Sequence, residues 1–243
     1  MVAKIKNIIL WVVVIAYFPI LFAFISVTKS KQVCTGVSVA VVDSTNAAFV
    51  NSNQISEVIL KKYPNLLGGN TKSINCEDIE SFLIKHEAIK SCETYRTIEG
   101  RLNVFIEQRK PLLRVFSGYK SYYIDEFGKS MPLFDQYTAR VLVLSGHVNN
   151  LDSLTEVIEF AQFISNDTFW NAQIEQIYVE KNGEFSLAPR VGDQNIYLGS
   201  LENYPIKMRN LYALYTKGLH PREWNNYKSI NLQYEGQIIC TKR

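Results

Sequence analysis

Leu102, Val104 and Ile106 alternate with Asn103, Phe105 and Glu107, the two-residue period of a half-buried strand. Around this strand the apolar pattern predicts a first small domain. Val37–Asp43 is a β-branched run and reads as a strand. Ile55, Val58, Ile59 and Tyr63 recur at helical spacing behind the cap candidates Ser52 and Asn53, and Pro64 with Gly68-Gly69 stops that helix. Asn75 caps a second helix with the face Ile79, Phe82, Leu83 and His86. Ile89–Ile98 is extended, Glu99-Gly100 is a tight turn, and Arg101–Glu107 pairs back. The order strand–helix–helix–strand–strand places two amphipathic helices on one face of a three-stranded sheet.

Pro111 breaks the pattern, so the chain is expected to end its strand or change sheets there. The junction Gln108, Arg109, Lys110 and Pro111 reads as a hinge between two domains. Beyond it, Leu113–Phe116, Tyr122–Asp125 and Lys129–Leu133 read as short strands, followed by Val141–Ser145. Ser153 and Glu156 form a capping box ahead of a helix with core face Leu154, Val157, Ile158, Ala161 and Ile164. Strands at Ile174–Glu180, Glu184–Ala188 and Ile196–Gly199 follow, with a turn at Asn182-Gly183. Asn203 and Pro205 open a second helix carrying Met208, Leu211, Tyr212 and Tyr215, closed by Gly218. A last hairpin alternates Ile230, Leu232 and Tyr234 with Asn231 and Gln233, turns at Glu235-Gly236 and returns over Gln237–Thr241. The expectation is a curved, mostly antiparallel β domain with two helices. No later sequence covers the final strand. Such an edge is blunted, completes its own sheet, or accepts a partner's strand.

Ile8 to Val27 is a run of twenty uncharged residues, and about 20 suffice to cross the hydrocarbon layer as a helix. The run is long for a signal peptide, and the residues before Thr28 make a poor cleavage site, so an uncleaved anchor is expected. Lysines flank it almost symmetrically, which leaves its orientation open. The expected boundaries are a tail at 1–6, a transmembrane helix at 7–28, a linker at 29–35, the first domain at 36–108 and the β domain at 109–243.

Charge changes the picture little. Without Lys4 and Lys6, 24 basic residues face 23 acidic ones, so no polyanion-binding surface and no nucleic-acid partner are expected. Cys34, Cys76, Cys92 and Cys240 permit disulfides without specifying pairs, and isolated thiols fit equally well. His86, His147 and His220 lack companions at metal-ligand spacing, and His86 reads as a helix-boundary residue. Ser145-Gly146-His147 is outside the nucleophile-elbow frame. No catalytic, cofactor or metal residues, and no small-molecule substrate, are expected.

These pieces, in this order, are similar to the FtsQ/DivIB family of bacterial cell-division proteins, in the form seen in the Bacteroidetes. The resemblance rests on the short tail and anchor, Phe49-Val50-Asn51, Ile79-Glu80, and Gln108-Arg109-Lys110-Pro111-Leu112-Leu113-Arg114-Val115. It continues through Tyr122-Tyr123-Ile124-Asp125, Gly128, Met131-Pro132-Leu133 and Trp224-x-x-Tyr227 to Ile230–Cys240. It implies a POTRA-type first domain and a single-pass inner-membrane protein with its N-terminus in the cytoplasm and its domains in the periplasm. It also implies a non-enzymatic scaffold at the division septum, partnered by FtsB and FtsL and, indirectly, by the synthases FtsW and FtsI. Strand addition of FtsB would fall on Gln233, Tyr234, Gly236, Gln237, Ile238 and Ile239. The weighed alternatives are a POTRA-containing envelope chaperone or transport component, and a membrane-anchored periplasmic enzyme with an unrecognised site.

Overall fold

A computed structural model describes residues 11–21, 32–42, 49–150 and 154–243. Residues 11–21 form a helix, α1, whose apolar side chains point outward all round: Trp11, Val12, Ile15, Phe18 and Ile20 are each more than half exposed. Among the described residues no helix is long and apolar enough to cross a membrane, and the remainder of the expected 7–28 segment lies outside them.

The chain divides into two compact units, with the boundary between Gln108 and Arg109. In the first, β1 (Gly36–Val42), α2 (Ser52–Lys62), α3 (Cys76–Leu83), β2 (Ile89–Arg96) and β3 (Arg101–Gln108) follow in sequence. The sheet order is β1-β3-β2, with β1 parallel and β2 antiparallel to the central β3. Leu102, Val104 and Ile106 are fully buried, as the alternation requires. Ile55 and Ile59 of α2 and Ile79 and Leu83 of α3 are buried with them. Val58 is 44% exposed and belongs to the outer face of α2. The cap of α2 is Asn51, one residue before the expected pair; its Oδ1 accepts the Asn53 N–H at 2.9 Å. Asn75 caps α3 through the N–H groups of Glu77 and Asp78 at 3.1 and 3.4 Å. Both caps satisfy amides that a helix start leaves unpaired. His86 follows α3, and burial holds its pKa below the ordinary value against the opposing charge of Glu87.

The second unit contains nine strands in one sheet, in the order β12-β11-β10-β9-β8-β7-β4-β5-β6. They are β4 (Pro111–Ser117), β5 (Lys120–Asp125), β6 (Ser130–Met131), β7 (Leu142–Gly146), β8 (Ile174–Val179), β9 (Phe185–Pro189), β10 (Asn195–Gly199), β11 (Tyr227–Asn231) and β12 (Ile239–Lys242). Three pairings are parallel: β4 with β7, β7 with β8, and β10 with β11. The sheet is therefore mixed, with its other five pairings antiparallel. The connections from β7 to β8 and from β10 to β11 carry helices, whereas β5 and β6 lie between β4 and β7; each such crossover returns a strand in the same direction. The helices are α4 (Thr155–Asn166), α5 (Thr168–Gln173) and α6 (Tyr204–Ala213), the last prolonged by a π-helical turn over Leu214–Gly218. Three helices thus stand where two were expected. Asp167 makes the difference: its Oδ1 accepts from Phe169 and Trp170 at 2.9 Å, ending α4 and capping α5 in one step. Ser153, half of the expected capping box, lies outside the described residues.

The core of this unit joins Leu113, Val115, Leu144, Ile177 and Leu187 of the sheet with Phe160 and Ile164 of α4 and Met208 and Leu211 of α6. Phe49 groups with it, packing 4.9 Å from Tyr137 and 5.4 Å from Phe134, ring centre to ring centre. Tyr215 is 3% exposed; its hydroxyl accepts from Gln194 Nε2 at 3.0 Å, and burial raises its pKa. A tyrosine whose folded pKa lies above its unfolded one contributes stability that is complete below the ordinary value near 10 and is lost as pH rises through the folded value. Urea titrations should therefore show stability falling above about pH 10, and Tyr215→Phe should flatten that fall while lowering the neutral-pH stability by about 1 kcal/mol for the lost hydrogen bond.

Candidate partner-binding edge

Ile230 (1% exposed) and Leu232 (3%) anchor the last part of the chain to the core. Ile230 pairs with Ile196 of β10, and the Leu232 N–H donates to the Tyr197 carbonyl at 2.8 Å. The chain then leaves the sheet. Gln233 N–H donates to Asn231 Oδ1 at 2.9 Å, and the Gln233 side-chain amide accepts from Asn231 Nδ2 at 3.1 Å and donates to Glu184 Oε2 at 3.0 Å. Gly236 turns with a φ of +73°, a conformation that favours glycine. The chain returns as β12, in the register Asn231↔Ile239, Ile230↔Cys240, Ser229↔Thr241 and Tyr227↔Lys242.

The expected hairpin is displaced. The first strand occupies 227–231 rather than 230–234, and 232–238 is a connection, because Asn231 and Gln233 satisfy each other locally and release the ladder. Of the six residues assigned from sequence, Gln233, Tyr234, Gly236, Gln237 and Ile238 lie in this connection, and Ile239 alone lies in β12. Cys240, Thr241 and Lys242 complete the edge strand; they belong to the returning run 237–241 and its flank but were not among those six.

β12 is the end strand of the sheet. Its inner side pairs with β11, and among the described residues no strand pairs with its outer side. The opposite end is β6, only two residues long. Beside β12 the connection faces α6 across a groove of about 300 Å³, lined by Ile206, Lys207 and Asn210 on one wall and Tyr234, Gln237 and Ile238 on the other. Lys207 Nζ donates to the Ser200 carbonyl at 2.8 Å, and burial lowers its pKa against the pull of Glu202 and Glu184. Tyr234, Ile206 and Ile239 are 52%, 46% and 45% exposed, so apolar surface flanks the open backbone. An extended segment laid against β12 would pair with its free N–H and C=O groups and cover these side chains.

The junction residues are held firmly. Gln108 Oε1 accepts the Val50 N–H at 2.8 Å inside the first unit. Arg109, 5% exposed, bonds Asp125 Oδ2 at 2.8 Å and the carbonyls of Lys129 and Ser130 at 2.8 and 3.0 Å. The Lys110 carbonyl accepts from Glu126 N–H at 3.2 Å, and Pro111 is the first residue of β4, a strand position that tolerates its missing N–H.

All four cysteines are free thiols, and among the described residues no three His, Cys, Asp or Glu side chains gather as a metal site. No curated protein matches the chain at a significant level. Residues 32–107 match the POTRA-like domain family, and residues 110–241 match the family described as FtsQ/DivIB, C-terminal related. With more than half of its length matched by the latter, the chain belongs to the FtsQ/DivIB-related family, its FtsQ/DivIB-related unit preceded by a POTRA-like domain.

Proposed function

We infer that this protein is a non-enzymatic, single-pass scaffold of the bacterial division septum. The position of β12 at the end of the nine-stranded sheet carries this reading. Through that edge it takes up a strand of FtsB, holds FtsL with it, and is linked through them to FtsW and FtsI. The tyrosine and isoleucines around the groove supply side-chain contacts, and the backbone of Ile239–Lys242 supplies the ladder. Residues 7–28 form the anchor in the inner membrane, with a short cytoplasmic tail and both folded units in the periplasm; the exposed apolar side chains of α1 support this. The peptide between Gln108 and Arg109 is the pivot, because the residues on either side of it are bonded into their own units. The POTRA-like face is left for other membrane components of the complex.

Depletion tests the role. Cells losing this protein should grow as filaments without septa under the microscope. Envelope leakage with normal septa would favour a transport or chaperone role instead.

A further inference from the structure

We propose that the end of the POTRA-like unit where the chain emerges from the anchor is a lipid-docking surface for anionic headgroups. This rests on the anchor reading above. Val33 lies between two loops. On one side it forms an isolated bridge with Asn70, and the Cys34 N–H donates to the Gly69 carbonyl at 2.8 Å. On the other side the β2–β3 turn closes over it: Thr35 N–H donates to the Gly100 carbonyl at 2.9 Å. Gly100 has a φ of +82°, and a Cβ there would collide with the Val33 carbonyl oxygen. The two loops and residues 32–35 therefore form one rigid tip.

That tip is apolar at its extremity. Ile98 is 89% exposed, Val33 49% and Leu67 48%. Hydrophobic side chains on adjoining loops are costly in water and suited to the boundary between headgroups and acyl chains. Exposed Lys72, Arg96 and Arg101 belong to the same loop and to the strand ends beside the turn, with Glu99 the acid on the turn itself. Arg96 is fixed across the two loops, donating to the Thr71 carbonyl at 3.0 Å. Sequence length makes the contact reachable. With the anchor ending at residue 28, four peptide steps separate it from Gln32, a span of at most about 14 Å. That is comparable with the headgroup layer plus one Debye length, so the tip works within the field of the membrane surface.

The full chain reconstituted in vesicles tests this by hydrogen–deuterium exchange. Each basic residue near an anionic surface strengthens the contact on the order of fivefold. Amides of the 97–101 turn and the 67–72 loop should exchange at least about fivefold more slowly in phosphatidylglycerol-containing vesicles than in pure phosphatidylcholine. Ile98→Asp combined with Arg101→Glu should erase the difference, while the protected amides of Leu102–Ile106 stay unchanged and show that the unit remains folded. Equal exchange in both lipids, with the chain still resisting alkaline carbonate extraction, overturns the docking surface and leaves the anchor standing. Extraction by carbonate overturns the anchor and this inference together. Slowing that appears only on adding a division partner assigns the tip to a protein and overturns the lipid assignment.

Discussion

Removing Gln237–Arg243, or replacing Ile239 by proline, should abolish co-purification of FtsB while the POTRA-like unit keeps its slow-exchanging β3 amides. The expectation follows from the place of β12. Strand addition draws on backbone donors and acceptors along Ile239–Lys242, each net hydrogen bond contributing about 1 kcal/mol. Losing several of them weakens binding on the order of 100-fold, beyond what a wash preserves. Proline removes one donor and clashes with the ladder, so a single residue approaches the effect of the deletion. Thr241→Ala and Lys242→Ala provide the contrast. Their side chains are exposed and their backbone is unaltered, so both should retain FtsB nearly as well as the parent. Undiminished capture by the Ile239→Pro protein would falsify strand addition.

The second large effect is on stability. Arg109→Met should destabilise the second unit by about 3–5 kcal/mol, read as an earlier urea transition in the fluorescence of Trp170 and Trp224. Arg109 and Asp125 are 5% and 2% exposed, and the pair is fully engaged. Asp125 Oδ1 also accepts from Phe127 and Lys129 N–H at 3.0 and 2.8 Å, so the carboxylate is the centre of the β5–β6 turn. Removing the arginine leaves a buried anion without its counter-ion and the Lys129 and Ser130 carbonyls without that donor, and removing the carboxylate takes one acceptor from two amides and the counter-ion from the guanidinium. Either loss is expensive because the low-dielectric interior offers no water in exchange. Arg109→Met with Asp125→Leu should cost less than the two single changes summed, since no charge is then stranded. Additive losses would show that the two side chains act independently.

The sequence order β–α–α–β–β, the buried alternation of β3 and most turns could be read locally. A two-residue period, an Asn before an apolar helix face, and a glycine at positive φ are decided by residues within a few positions of one another. Leu102, Val104, Ile106, Asn75 and Gly183 all behave this way. Asp167 was also a local signal, since an acid two residues before Phe169 can cap a helix; the preceding apolar run obscured the break.

The length and order of apolar runs determined that two units follow an apolar segment, that the first is a small α+β domain, and that the last strand comes from the terminal hairpin. Only the tertiary structure decided strand order, the parallel pairings, and the burial of Arg109 in an ion pair rather than in a free linker. It also decided that β12 stands at an edge. Strand neighbours are chosen by contacts between residues far apart in the chain, as β4 beside β7 and β10 beside β11 illustrate, and a strand's own residues carry no record of which side stays open. The shift of the terminal hairpin shares this origin, beside the local bonds between Asn231 and Gln233. Ile230 and Leu232 are drawn into a core built by α6 and β10, and the turn takes up the residues left over.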